Sequence, residues 1–450
     1  MKLTSKITET NRVFLSKLEL PFWLTLMYWG LMPATRNPWF EIESVPISLN
    51  DILNIAVALF YLLLPAIYKH PLSSIRKAWH YHLPSLTLIL ILYAAISTEW
   101  SNIHPSDYKP MLYTLILAAS AFLLGYNIIS KRSPESVRQF LWQLTVYLAA
   151  LGLIYSAASF LSLGLGGDTD NTASDFGVKR VKGPLFGSST GYFILLPALG
   201  FSMQEVLKSS GQKRLFKIAV LFSLVLTLFG LGSRAGLLLF FLFFILVVLF
   251  MKNRKQAAIS VALMFIVALA AGGLFFSRAK TDRLQTLEDT SRSDTYQTSF
   301  TIIYRRDDNI NIVGSGYASY WPWYIPDVQD ARKIGQYYNL VWNPYGNLLY
   351  HPHSTFLLFI LELGLPGLIY FLFLWLIFFI LLLSNITKAE FPIFNCSIFA
   401  SGISMFFDFF IFKSPQVNTI WWIFLCGALA LNSSCNNQSR IKNNKDPTLE

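Results

Sequence analysis

Residues 232–255 read GSRAGLLLFFLFFILVVLFMKNRK, with no charged residue between Arg234 and Lys252. The uncharged run 235–251 has the length that carries a helix across a hydrocarbon core about 30 Å thick. A backbone in lipid must satisfy its own hydrogen bonds, so such a run is a helix. Its two ends differ. One is a glycine-rich turn holding Arg234; the other carries Lys252, Arg254 and Lys255 together.

The rest of the chain repeats this pattern. Of 450 residues, 54% are hydrophobic and 14% charged, whereas a soluble domain carries about a quarter charged. Apolar runs at 20–34, 52–68, 83–98, 110–129, 140–163, 190–206, 215–232, 235–251, 256–276, 366–384, 392–412 and 416–431 predict about twelve transmembrane helices. The two-residue alternation of an outer-membrane barrel is absent, so the fold class is an all-α polytopic membrane protein. Met1–Lys17 is polar and offers no apolar stretch with a small-residue cleavage site, so the first span is expected to anchor the chain.

Charge sets the orientation, because lysine and arginine collect in cytoplasmic loops. One alternating set of connections holds Lys2/Lys6/Arg12/Lys17, Arg76/Lys77, Lys131/Arg132/Arg138, Lys208/Lys213/Arg214/Lys217, Lys252/Arg254/Lys255, Lys388 and Arg440/Lys442/Lys445. The other holds Glu41/Glu43/Asp51, Glu99/Asp107 and Asp168/Asp170/Asp175. Both termini are therefore expected in the cytoplasm. The net charge of +11 is mostly topological, and no nucleic-acid-binding motif accompanies it.

The expected organisation is nine helices in 1–276, a large external segment at 277–365, three helices in 366–431 and a cytoplasmic tail at 432–450. Gly364-Leu365-Pro366-Gly367 breaks the apolar stretch after Ser354. It leaves a short interfacial helix at 354–363 and a true span after Pro366. Ser354 is placed to cap that short helix.

Three basic sites on the external side run against the charge rule: Lys179-Arg180-Val181-Lys182, the single Arg234, and Arg278/Lys280/Arg283/Arg292/Arg305/Arg306. Guanidinium groups bind phosphate bidentately and stay charged. A cation at the interface is costly unless paired or wetted, which singles out Arg234. For Arg292 with Asp294, and for Arg305/Arg306 with Asp307/Asp308, ordinary solvated pairing is the competing reading.

His351-Pro352-His353 lies at the return to the membrane. A neutral imidazole there suits proton abstraction from an incoming hydroxyl. A metal site is the alternative, but no Cys, Asp or Glu partner stands at ligand spacing. His70, His80, His82 and His104 are read as interfacial or loop residues. Cys396, Cys426 and Cys435 show no metal-ligand spacing and are read as small packing residues.

Four stretches resemble the O-antigen ligase and polymerase superfamily of bacterial membrane glycosyltransferases. Arg180-Val181-Lys182-Gly183-Pro184-Leu185-Phe186-Gly187 resembles its Arg-x-x-Gly-x-Phe element, continuing as Ser188-Ser189-Thr190. Ser233-Arg234-Ala235-Gly236 resembles its Ser-Arg-Gly/Ala-Gly turn. Arg292 followed by Gly314-Ser315-Gly316 resembles an arginine preceding a Gly-x-Gly turn, with Tyr296 or Tyr304 as the aromatic between. His351-Pro352-His353-Ser354-Thr355 with Glu362-Leu363-Gly364-Leu365-Pro366-Gly367 resembles the most specific element, with Ser354 where the family usually has Asn.

The resemblance implies a GT-C-like, metal- and cofactor-independent enzyme of the bacterial inner membrane. It implies transfer of a glycan from undecaprenyl diphosphate to lipid A–core oligosaccharide on the periplasmic face, or to a second lipid-linked unit in the polymerase branch. Arg180, Arg234 and Arg292 would hold the diphosphate, His353 would be the general base, and His351 its neighbour or a further diphosphate contact. Direct attack would invert the anomeric carbon. A Walker loop or Rossmann fingerprint is absent. A flippase with polar residues along its spans, or a non-catalytic envelope scaffold, are the readings outside this class.

Overall fold

The computed structural model describes residues 19–31, 40–42, 45–67, 77–101, 108–161, 181, 183–187, 190–276, 290–319, 352, 354–387, 389–408, 411–412 and 414–443. The apolar runs form helices: α1 at 19–31, α2 Leu49–Ile67, α3 Lys77–Ser97, α4 Tyr108–Ser130, α5 Pro134–Phe160, α6 Gly191–Leu207, α7 Gly211–Gly230, α8 Arg234–Phe250 and α9 Arg254–Phe276. After them come α10 Thr290–Arg305, α11 Asp308–Val313, α12 Thr355–Thr387, α13 Pro392–Ile403 and α14 Pro415–Asn443. The departure from an all-helical fold among the described residues is a short antiparallel ribbon, β1 Phe40–Ile42 on β2 Val45–Ile47, with Glu41 facing Pro46.

This is a multi-pass helical membrane protein. Among the described residues five helices are long and apolar enough to cross a bilayer: His82–Trp100, Met111–Ser130, Pro134–Ser159, Arg254–Gly273 and Thr355–Ile386. Leu49–Leu63, Gly191–Leu207, Arg234–Phe250 and Pro392–Phe406 are apolar but shorter.

Helices α6 and α13 are buried almost end to end, as expected of helices apolar on every face. They lie against each other: a Cβ added to Gly200 would fall 2.0 Å from Ser397 Oγ. Helices α5, α7, α8 and α14 pack around this pair, and α4 packs on α14. Trp421 and Trp422 of α14 are fully buried, with Trp421 stacked on Phe193 at 4.8 Å.

The basic connections collect at one end of the bundle. Arg138 donates to Glu205 through Nε at 2.6 Å and Nη2 at 3.0 Å, and Lys217 Nζ reaches the same carboxylate at 2.7 Å. Lys208 pairs with Glu390 at 3.3 Å and sits over Phe391 at 3.7 Å. Arg132 bonds Glu19. The neighbouring Lys131 donates to the Tyr61 carbonyl, and burial pulls its amine down to about 8. Glu205 is only 5% exposed; removing one partner of such a buried charge costs about 3–5 kcal/mol.

The break expected at Gly364 is present. Helical hydrogen bonding runs from Thr355 to Thr387, but Gly364 has φ 60 and ψ −140, which separates two helices. The segment 355–363 is helical and covered by protein: Thr355, Leu357, Leu358, Phe359, Leu361, Glu362 and Leu363 are all buried. One expectation is corrected. The eleventh span does not run unbroken to 412. It stops at Ile403, and a 3-10 turn, Ser404–Phe406, follows, because carbonyls there bond other elements, as described below. Helix α14 continues to Asn443, through residues expected as tail.

Candidate active site

At the end opposite the ion pairs, glycine and serine shape the start of α8. Gly232 has φ +61, a left-handed turn that favours glycine. Ser233 then caps the helix, accepting from Gly236 N at 3.2 Å. Arg234 is the first helical residue and is partly exposed. Helix N-termini carry partial positive charge and present backbone N–H groups, so a guanidinium at this point adds to an anion-attracting field. Gly236 lies flat on Tyr192, whose Cβ would be 3.2 Å from an added Cβ.

The Val181–Gly187 strap lies on this turn. Val181 N donates to Gly230 O at 2.8 Å and Phe186 N to Gly183 O at 2.9 Å. Gly230 leaves room for Val181: an added Cβ would fall 2.4 Å from its Cγ2. Leu185 and Phe186 are fully buried, which holds the strap to the bundle. The first motif stretch therefore lies against the end of α7, three residues before the second begins.

The Ser404–Asp408 turn joins the others. Thr355 donates to Asp408 O from its backbone N at 3.0 Å and from Oγ1 at 2.9 Å. Tyr296 of α10 donates its hydroxyl to Phe406 O. Phe356 packs on Phe406 with ring centroids 5.4 Å apart. Helix α8 contacts the same 3-10 turn and α13. Ser354 caps α12 as expected, accepting from Leu357 N at 3.3 Å. Asp408 is 3% exposed. In the sequence it stands out only as a charge in a span; a carboxylate in an apolar run is itself the signal that marks such a junction.

Gly314-Ser315-Gly316 and the Gly364 break form a clamp. Ser315 N donates to Leu361 O at 3.0 Å and Gly316 N to Glu362 O at 2.9 Å. Arg306 donates from Nη1 to Leu361 O and from Nη2 to Ile360 O, each at 2.8 Å, and from Nε to Asn311 Oδ1 at 2.5 Å. It thus satisfies carbonyls left over where the helix breaks. Arg306, expected in the anion-facing cluster or in a solvated pair with Asp307/Asp308, holds the fold together instead. Tyr93 OH on Val313 O at 2.6 Å and Ser101 Oγ on Tyr317 O at 2.9 Å tie the same loop to the end of α3.

Backbone meets backbone in this clamp. An added Cβ on Gly314 would fall 2.2 Å from Glu362 O, and one on Gly364 would fall 2.4 Å from Gly314 N. Gly364→Ala is expected to lower the melting temperature in detergent, the backbone strain alone costing about 1–3 kcal/mol. Gly273→Ala is the matched control, since its Cβ would meet nothing within 4 Å. Equal melting of the two variants would remove the case for the clamp.

Of the residues singled out from sequence, Arg234 is described with its side chain. Arg292 lies in α10, one turn before Tyr296; its side chain lies outside the described residues. Arg180, His351 and His353 also lie outside them, although Val181, Pro352 and Ser354, which adjoin them, are buried. Among the described residues no group of three or more His, Cys, Asp or Glu side chains is placed to hold a metal ion.

The end of the bundle thus brings together a cationic helix start, a strap of backbone, a capped helix entrance and a buried carboxylate. A family model described as O-antigen ligase matches residues 218–372, which spans the last three of the four stretches. No curated protein and no solved structure matches the chain.

Proposed function

We propose, from the premise that this chain is a membrane protein of the O-antigen ligase superfamily, that it transfers a glycan from undecaprenyl diphosphate to lipid A–core oligosaccharide at the periplasmic face of the inner membrane. The observation that carries this reading is the shared junction: helix α8, which starts at Arg234, the Tyr296 helix and the Ser354–Thr355 helix start all contact the Ser404–Asp408 turn. The diphosphate leaving group is already good. The protein's tasks are to hold its charge and to deprotonate the acceptor hydroxyl.

Arg234, with the helix start beneath it, takes the diphosphate by preorganised electrostatics; Arg180 and Arg292 complete the cationic set. His353 removes the acceptor proton and His351 assists or contacts the diphosphate. The acceptor oxygen attacks the anomeric carbon, the C1–oxygen bond to the diphosphate breaks, and configuration inverts. A flippase is disfavoured by the ionisable groups. Glu205 is tied in ion pairs at the bundle's other end, not strung along a path as a substrate route requires.

Purified protein in proteoliposomes, given the lipid-linked glycan and a lipid A–core acceptor, tests the reading. Core-attached glycan is the expected product. Longer lipid-linked glycan without core attachment would assign the polymerase reaction, and movement of donor between leaflets without transfer would replace an enzyme by a transporter. Addition of EDTA is expected to leave the initial rate unchanged; inhibition reversed by added divalent metal would overturn the metal-independent step.

A further inference from the structure

Helix α10 (Thr290–Arg305) is polar and lies outside the helices apolar enough for a membrane, yet it carries aromatic residues at every fourth position. Tyr296, Phe300 and Tyr304 follow Arg292 at the same spacing. Residues four apart on a helix share a face, each about 6 Å further along the axis. The row drifts slowly around the helix, and its exposure rises along it. Tyr296 is part-buried with its hydroxyl on Phe406 O, Phe300 is 54% exposed and Tyr304 is 90% exposed. The opposite side is the packed one, with Ser299 and Ile302 buried. Position on the packing side therefore does not explain the two outer rings.

We propose that Phe300 and Tyr304 form a sugar-stacking subsite that receives the glycan chain as it leaves the Arg292–Tyr296 end of α10. This rests on the transfer reading above and names where its substrate lies. Three observations favour pyranose rings over other occupants. The row is continuous with the Tyr296 contact at the Ser404–Asp408 junction, so an occupant extends from the candidate site. Its spacing of about 6 Å suits successive rings of an extended saccharide. The residues that follow two of its members, Gln297 and Thr301, put polar side chains on the adjoining strip of the helix, about 100° further round, with Thr301 Oγ1 donating to Gln297 O. An aromatic face offers apolar contact to the C–H side of a sugar while its neighbours serve the hydroxyls. Phe300 has no hydroxyl and contributes only that face.

The test uses the full-length protein in detergent or nanodiscs. The probe is the oligosaccharide released by mild acid from the lipid-linked donor pool of the expressing strain. Equilibrium binding is measured for the wild type and for Tyr304→Ala, Tyr304→Phe, Tyr304→Leu and Phe300→Ala. The alanine variants and Tyr304→Leu are expected to weaken binding about tenfold, with Tyr304→Phe close to wild type. In the transfer assay the same variants raise KM for the donor and leave kcat nearly unchanged. Leucine keeps apolar area but has no ring face. Full binding by Tyr304→Leu therefore assigns the row to bilayer contact and overturns the subsite, as does wild-type binding by both alanine variants. Oligosaccharide binding is read without any turnover, so wild-type protein that binds the sugar but transfers none refutes the transfer reading separately.

Discussion

Arg234→Ala is expected to abolish glycan transfer while the protein remains inserted and melts as the wild type does. The turn itself is made by Gly232 at φ +61 and by the Ser233 cap on Gly236 N, and the Arg234 side chain is partly exposed. What the substitution removes is a fixed cation at the positive end of α8, where charge on a departing diphosphate would develop. Loss of one preorganised group of that kind lowers turnover by about 10²–10³-fold. Lysine keeps the charge but not the fork of donors, so Arg234→Lys should recover only part of the rate. The measurement is initial transfer rate in proteoliposomes, beside membrane fractionation and melting of the same preparations. A rate near wild type for Arg234→Ala would withdraw the diphosphate from this end of α8.

The features legible in the sequence were those with a local cause. The uncharged run 235–251 became α8, the glycines and proline at 364–367 broke α12 where φ changes sign, and Ser354 capped the helix it precedes. Charge alternation foresaw which connections share an end, and Glu205 and Glu390 are the acidic partners that the basic loops meet there.

The readings that failed depended on distant partners. Apolarity alone does not separate a helix facing lipid from one facing protein, so nothing in the apolar run 355–363 marks its burial among other helices. Arg306 read as an anion ligand because its partners are main-chain carbonyls at 360 and 361, and a carbonyl has no signature in the side-chain sequence. The same reason hid the Ser404–Asp408 junction. It acts through the carbonyls of Phe406 and Asp408, and only the buried Asp408 marked it. Two of the four recognised stretches, Gly314–Gly316 and Glu362–Gly367, turn out to bind each other. Part of that pattern is therefore architecture that fixes the break in α12 at Gly364.

His353→Ala is expected to lower kcat by about a hundredfold or more, within the range of general acid–base groups. The residues that follow it give the reason. Ser354 is buried and caps α12, and Thr355 is held on Asp408 O by two donors, at 3.0 and 2.9 Å. The chain therefore enters the helix from a fixed point at Ser354, the residue after His353 in the sequence; the role of base requires hydrogen-bond reach of the acceptor hydroxyl. The sign of the pH dependence follows from the role. A base must be neutral, so the wild-type rate rises as pH climbs through the imidazole pKa and then levels, and His353→Ala removes that acidic limb along with the rate. His351→Ala is expected to cost less and to keep the limb. Transfer rates for the three proteins between about pH 5 and 8 decide the matter. A larger loss in His351→Ala, with the limb gone, exchanges the two histidines; an unchanged limb in both variants assigns the proton to another group, and Asp408, buried beside Thr355, becomes the next residue to replace.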